Sequence, residues 1–152
     1  MKKIFIALAS LGTMISIAAT PALVGATTID MPTSAPNSGY VVLDDNDHVI
    51  DASSLVIKDL AQKSENSTNS IQPRDVVNWR HSRWVYYTDH NNYINGYKWS
   101  HSNYYHSQTY HTSAAAVGGA NFTRRGANAH SYSMATAAGR GRAQAWYWAP
   151  YV

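Results

Sequence analysis

The sequence predicts an all-β protein: a small antiparallel β-sandwich of two short sheets over residues ~77–149, behind a signal peptide and an acidic, partly ordered leader. Three observations predict it. Apolar and polar residues alternate with a period of two in several short runs, the mark of half-buried strands. Glycine and asparagine fall between those runs, where turns are needed. No run in the second half of the chain carries a helical period of useful length.

Taken in order, the head "MKKIFIALASLGTMISIAATPALVGA" is a secretory signal, with Lys2 and Lys3 before an apolar Ile4–Ile17 stretch. The small residues that follow place cleavage after Ala26, with Thr20-Pro21-Ala22 as a second possible site. No stop-transfer pattern follows, and nothing later approaches the ~20 apolar residues of a spanning helix. In "YVVLDDNDHVI" two apolar arms enclose an Asp-rich turn, which reads as a hairpin. That turn lacks the central glycine and distal glutamate of an EF-hand loop. "DASSLVIKDLAQK" offers Asp51 as N-cap of a short helix. The polar run "AQKSENSTNSIQPRD" reads as a linker.

Beyond the linker, "RWVYYT" alternates Trp84 and Tyr86 against Val85 and Tyr87. Asn95-Gly96 is a turn signal before "YKW". "SNYYH" and "TYHTSAAAV" are expected to form a hairpin about Ser107-Gln108, ended by Gly118-Gly119. "AHSYSMATAA" and "RAQAWYW" are expected to form another about Gly139-Arg140-Gly141. His101, His106 and His111 are spaced five apart. On a helix that spacing turns residues roughly 140° away from one another. On a strand it sends neighbours to opposite faces. No single element gathers all three, although a hairpin brings His106 and His111 together. A zinc site wants four ligands in tetrahedral geometry; the chain has no cysteine, and carboxylates are scarce near these histidines. No metal and no cofactor is expected.

Charge divides the chain. Residues 27–74 hold seven acids against three bases, and residues 75–152 hold seven bases against two acids. All five tryptophans and ten of the eleven tyrosines lie in the basic part. The division expected is 1–26 signal peptide, 27–74 acidic propeptide or linker, and 75–152 basic aromatic domain. Whether 27–74 is removed or is a permanent extension stays open. The chain has no cysteine, so an exported product would rely on an aromatic core instead of disulfides. A 78-residue domain buries only roughly 60–65% of its unfolded surface, and large rings would compensate.

Trp79, the run Ser-Asn-Tyr-Tyr-His at 102–106, His-Thr-Ser at 111–113 with the small residues after it, and the ending "AWYW" resemble the lactococcin 972-type bacteriocins. The likeness spans roughly residues 77–149. It implies a two-sheet sandwich and a secreted antibacterial protein acting on related Gram-positive cells. It also implies a block of septum formation through the wall precursor lipid II, without insertion across the membrane. A dedicated transporter and an immunity protein would accompany it, and a homodimer is open.

Lipid II carries a pyrophosphate, sugars and a peptide, so its binder needs cations and flat faces. Arg80, Arg83, Lys98, Arg140 and Arg142 are the candidate cations, since arginine grips phosphate in a fork. Trp84, Trp99, Tyr104, Tyr105, Trp146 and Trp148 are the candidate faces, with His106 and His111 beside them. For each ring the competing role is core packing, and for each arginine a solvated face. Catalysis is not expected: the basic part holds only Asp75 and Asp89, too few for paired carboxylates, and no nucleophile elbow is present. Nucleic acid is a poor fit to an exported chain. The alternative function is a non-lethal wall- or glycan-binding module.

Overall fold

The computed structural model describes residues 28–30, 36–46, 48–67, 75–119 and 121–150. The signal region, both cleavage sites and residues 68–74 of the expected linker lie outside the described residues. Ten strands and one helix follow in chain order: β1 (Thr28–Asp30), β2 (Ser38–Leu43), β3 (Val49–Ala52), α1 (Leu55–Ser67), β4 (Asp75–Trp79), β5 (Ser82–Asn92), β6 (Tyr97–His106), β7 (His111–Val117), β8 (Asn121–Ala127), β9 (Ser131–Arg140) and β10 (Ala143–Trp148). They form two five-stranded sheets, ordered β1-β4-β5-β6-β9 and β3-β2-β10-β7-β8. Every pairing is antiparallel except β1 with β4. The chain is an all-β sandwich of two sheets.

Alternation sets which side chains face inward. From the first sheet come Trp84, Tyr86, Ser100, Ser102, Tyr104, Ser133, Ala135 and Ala137, all buried. From the second come Val41, Leu43, Ser113, Ala115, Val117, Ala143, Ala145 and Tyr147, also buried. Serine hydroxyls bridge the layers. Ser100 Oγ donates to Gln144 O at 3.0 Å and Ser102 Oγ to Trp146 O at 2.7 Å. Ser113 Oγ donates to Ser133 O at 2.9 Å. A serine reaches the facing backbone only where the sheets approach more closely than the ~10 Å usual for face-to-face packing. The wider part of the interior is filled by rings: Trp84 against Tyr86 and Tyr147, each at 4.6 Å between centroids.

The sandwich reaches beyond residues ~77–149. β2, from the acidic segment, lies between β3 and β10 and pairs with β10 over six residues. Ser54 caps α1, its Oγ accepting the Ile57 N–H at 3.3 Å. Asp51 is therefore not the cap; it lies in β3 and accepts the Tyr40 hydroxyl at 3.3 Å. Ile57, Leu60 and Ala61, at i, i+3 and i+4, are buried in the same core as Val41 and Leu43. Gly39 makes this packing possible, because a Cβ there would sit 2.6 Å from Ile57 and 2.7 Å from Tyr147.

The hairpin about the Asp-rich turn forms, with β2 against β3. The Asn95-Gly96 turn joins β5 to β6, with Gly96 at φ +68. Two expected hairpins do not form. β6 belongs to the first sheet and β7 to the second, so residues 107–110 make a corner between sheets. β9 and β10 are likewise in different sheets. Alternation identifies a strand but not its partner, and a short loop serves a sheet-to-sheet corner as readily as a hairpin. β4 and β8 were not anticipated. β8 is an edge strand reading "NFTRRGA", exposed along most of its length, so no apolar period marks it.

Candidate functional site

Arg80 and His81 are the two-residue tip joining β4 to β5, where Trp79 pairs with Ser82. The tip is tied to the neighbouring corner by Ser107 N–H donating to His81 O at 2.9 Å. One row further along, the ladder sets Arg83 opposite Tyr105, and Tyr105 opposite Tyr132. All three point to the outer side of the first sheet, opposite to the buried Trp84 and Tyr104. The Tyr105 and Tyr132 rings lie 5.3 Å apart. The result is a cleft of about 500 Å³ bounded by Trp79, Arg80, His81, Arg83, Tyr105 and Tyr132. Trp79 forms its inner wall, stacked on Tyr104 at 5.7 Å and tilted against Tyr147 at 4.9 Å. Among the described residues no carboxylate lines it. Two guanidinium groups and an imidazole beside three rings suit an anion that carries flat or apolar parts.

The other expected site residues fall elsewhere. Trp84, Tyr104, His106 and His111 are buried in the sandwich. Burial drives the Tyr104 phenol up to about 12, against the opposing hydrogen bond with Ser82. Lys98 is also buried, at 2% exposure, because it is held from the acidic segment. Its Nζ donates to Asp45 Oδ1 at 2.7 Å and to Asp44 O at 3.1 Å. These five residues face the interior and do not line the cleft. Arg140 and Arg142 are exposed near the corner between β9 and β10. Trp99 is half-exposed on the outer first sheet, stacked on His90 at 4.7 Å. Trp146 and Trp148 face outward from the second sheet and line a separate cleft with Phe122 and Arg124.

The three histidines separate as their spacing requires. His101 is on the outer face; His106 and His111 are inside, with ring centroids 6.2 Å apart. His106 Nδ1 accepts the N–H groups of Gln108 at 3.1 Å and Thr109 at 3.3 Å. Its pKa is lowered by burial first, then by the nearby His111 and His81. His111 Nδ1 lies 3.0 Å from Thr109 O, so this nitrogen carries the proton. On the outer sheet, Asp89 Oδ1 meets His101 Nε2 at 2.9 Å, and Thr136 Oγ1 meets His101 Nδ1 at 3.0 Å. Burial works against the Asp89 carboxylate, but hydrogen bonds from His90 and His101 hold it below its ordinary value.

His81 and Tyr132 were not singled out in the sequence, and Trp79 only for the resemblance it carries, not as a site residue. Arg80-His81 between "DVVNW" and "SRWVYYT" was the available signal for a hairpin tip. Among the described residues no helix is long and apolar enough to cross a membrane. Comparison with known protein families, curated proteins and solved structures gives no match to this chain.

Proposed function

We propose that this protein is a secreted antibacterial protein, similar in kind to the lactococcin 972-type bacteriocins. In this reading it binds the pyrophosphate of lipid II in the Arg80–His81–Arg83 cleft and thereby blocks septum formation in related Gram-positive cells. The carrying observation is the grouping of two arginines and a histidine with Trp79, Tyr105 and Tyr132 around one cleft that, among the described residues, no carboxylate lines. The guanidinium groups would take phosphate oxygens by charge-assisted hydrogen bonds, and the rings would cover the adjoining sugar or isoprenoid. Binding alone accounts for the effect, with no bond made or broken. The producing cell would need an exporter and an immunity protein.

The test treats sensitive Gram-positive cells with the secreted protein, follows septation by microscopy, and adds purified lipid II as competitor. Lipid II should protect, and an Arg80→Gln/Arg83→Gln double variant should lose potency while keeping its melting temperature. Full potency in the double variant, or no protection, removes this reading. Binding to cells without growth arrest would favour the non-lethal wall-binding module.

A further inference from the structure

The outer face of the second sheet carries a cleft that the anion-binding reading does not use. The ladder sets its composition row by row. Tyr40, Trp146, Ala114 and Arg124 lie side by side on β2, β10, β7 and β8. The next row is Ser38, Trp148, Thr112 and Gly126. β7 thus presents only Ala114 and Thr112 as floor, while large side chains rise from its neighbours. The cleft has a volume of about 440 Å³, within the range of small-ligand sites. Phe122 meets Trp146 edge to face at 5.6 Å and closes one end. Trp148 is 42% exposed and Phe122 59% exposed, so both keep ring surface open to solvent. Polar groups are interleaved with the rings: the hydroxyls of Ser38, Ser53 and Thr112, and the Arg124 guanidinium, which donates to Thr112 Oγ1 at 3.2 Å.

We propose that this cleft binds the pyranose rings of an oligosaccharide of the N-acetylhexosamine type. A pyranose has an apolar C–H face and a rim of hydroxyls. It stacks on Trp148 or Trp146 while its rim reaches the hydroxyls and Arg124. Arg124 donates to the acetamido carbonyl, a neutral acceptor that needs no second cation. A fatty chain would leave Arg124 and three hydroxyls without partners on the ligand side. A nucleotide would stack as well, but its phosphates call for more than the one cation that lines the cleft. An added peptide strand would pair with the edge of β8 and not with this face. The site is independent of the anion cleft, which lies on the other sheet and is built for phosphate.

The test titrates the full secreted chain with a tetramer of N-acetylglucosamine, read by tryptophan fluorescence and calorimetry. Saturable binding is expected, weakened about tenfold by Trp148→Ala and by Arg124→Met. Met134→Ala, on the outer face of the first sheet, should leave it unchanged. Thermal melts accompany each variant, and Phe122→Ala replaces any that unfolds. Absence of saturable binding, or binding indifferent to both Trp148→Ala and Arg124→Met, overturns the assignment. Sugar binding is measured without phosphate or cells, so it can fail while lipid II still protects, and the reverse.

Discussion

Deleting residues 27–74 should unfold the basic domain. The acidic segment places Val41, Leu43, Val49, Ile57 and Leu60 in the main core, each at most 8% exposed. At about 1.5–3 kcal/mol for each buried aliphatic side chain, their removal forfeits roughly 8–15 kcal/mol. A whole domain is stable by only about 5–15 kcal/mol. The deletion also strips β2 from β10 along six paired residues, leaving a bare edge in the middle of the second sheet. Tyr147 would lose the Gly39 and Ile57 surface it packs on. The assay compares residues 75–152 with residues 27–152 by circular dichroism and urea denaturation. The shorter chain should show no cooperative transition, or should aggregate. A cooperative melt within about 2 kcal/mol of the longer chain would refute the reasoning. The point bears on any maturation: a processed form of the chain is expected to retain residues 36–67, and N-terminal sequencing checks it directly.

Three smaller perturbations probe the same scaffold. Asp45→Asn keeps an acceptor for buried Lys98 but removes its counter-charge and should cost about 1–3 kcal/mol in urea melts, since a charge-assisted hydrogen bond becomes a weaker one to a neutral amide; a neutral effect would show that the two oxygen acceptors hold the ammonium without a counter-charge. Gly39→Val drives a side chain into Ile57 and Tyr147 and should destabilise by about 1–3 kcal/mol or more, read as a lowered Tm. His106 has its folded-state pKa lowered from 6.5, so the unfolded chain binds the proton more readily. Its contribution is fully present above pH 6.5 and is lost as pH falls through the folded value; His106→Gln should flatten the stability profile in that window, and an unchanged profile would assign the acid sensitivity elsewhere. The same burial argues against His106 strengthening the basic surface in acid.

Much of the fold was legible because alternation is a local property. Trp84 and Tyr86 against Val85 and Tyr87, and Ala143, Ala145 and Tyr147 against Gln144 and Trp146, separated the two faces of each strand correctly, but not which face is inward: Trp84 was expected at a binding surface and is buried. Sheet membership was not legible, because residues 107–110 contain nothing that distinguishes a corner from a hairpin. Lys98 misled for a related reason. Its position on β6 points it inward, and only the distant Asp45 explains how a cation is held there. Arg83 and Tyr105 were expected at a binding surface, and they line the cleft. His81 and Tyr132 join them only through the tip of β4–β5 and the β6–β9 register, both of which are tertiary facts.

The two clefts open on different sheets and have no lining residue in common, but their walls touch through the core. Trp79 lines the Arg80–Arg83 cleft and packs against Tyr147 at 4.9 Å, while Tyr147 lines the tryptophan cleft of the second sheet. Tyr147 is itself fixed at both ends, its ring against Trp84 and its hydroxyl donating to Pro36 O at 3.0 Å. Rings locked in this way cannot adjust to a ligand cheaply, since packed interiors resist small displacements. Each cleft is therefore fixed in shape by the core, which would lower the ordering cost of binding a ligand there. The acidic segment supplies Pro36, Gly39 and Ile57 to this stack. Its contribution to the two clefts is mechanical: it fixes the rings from behind, in a chain that has no cysteine to staple them.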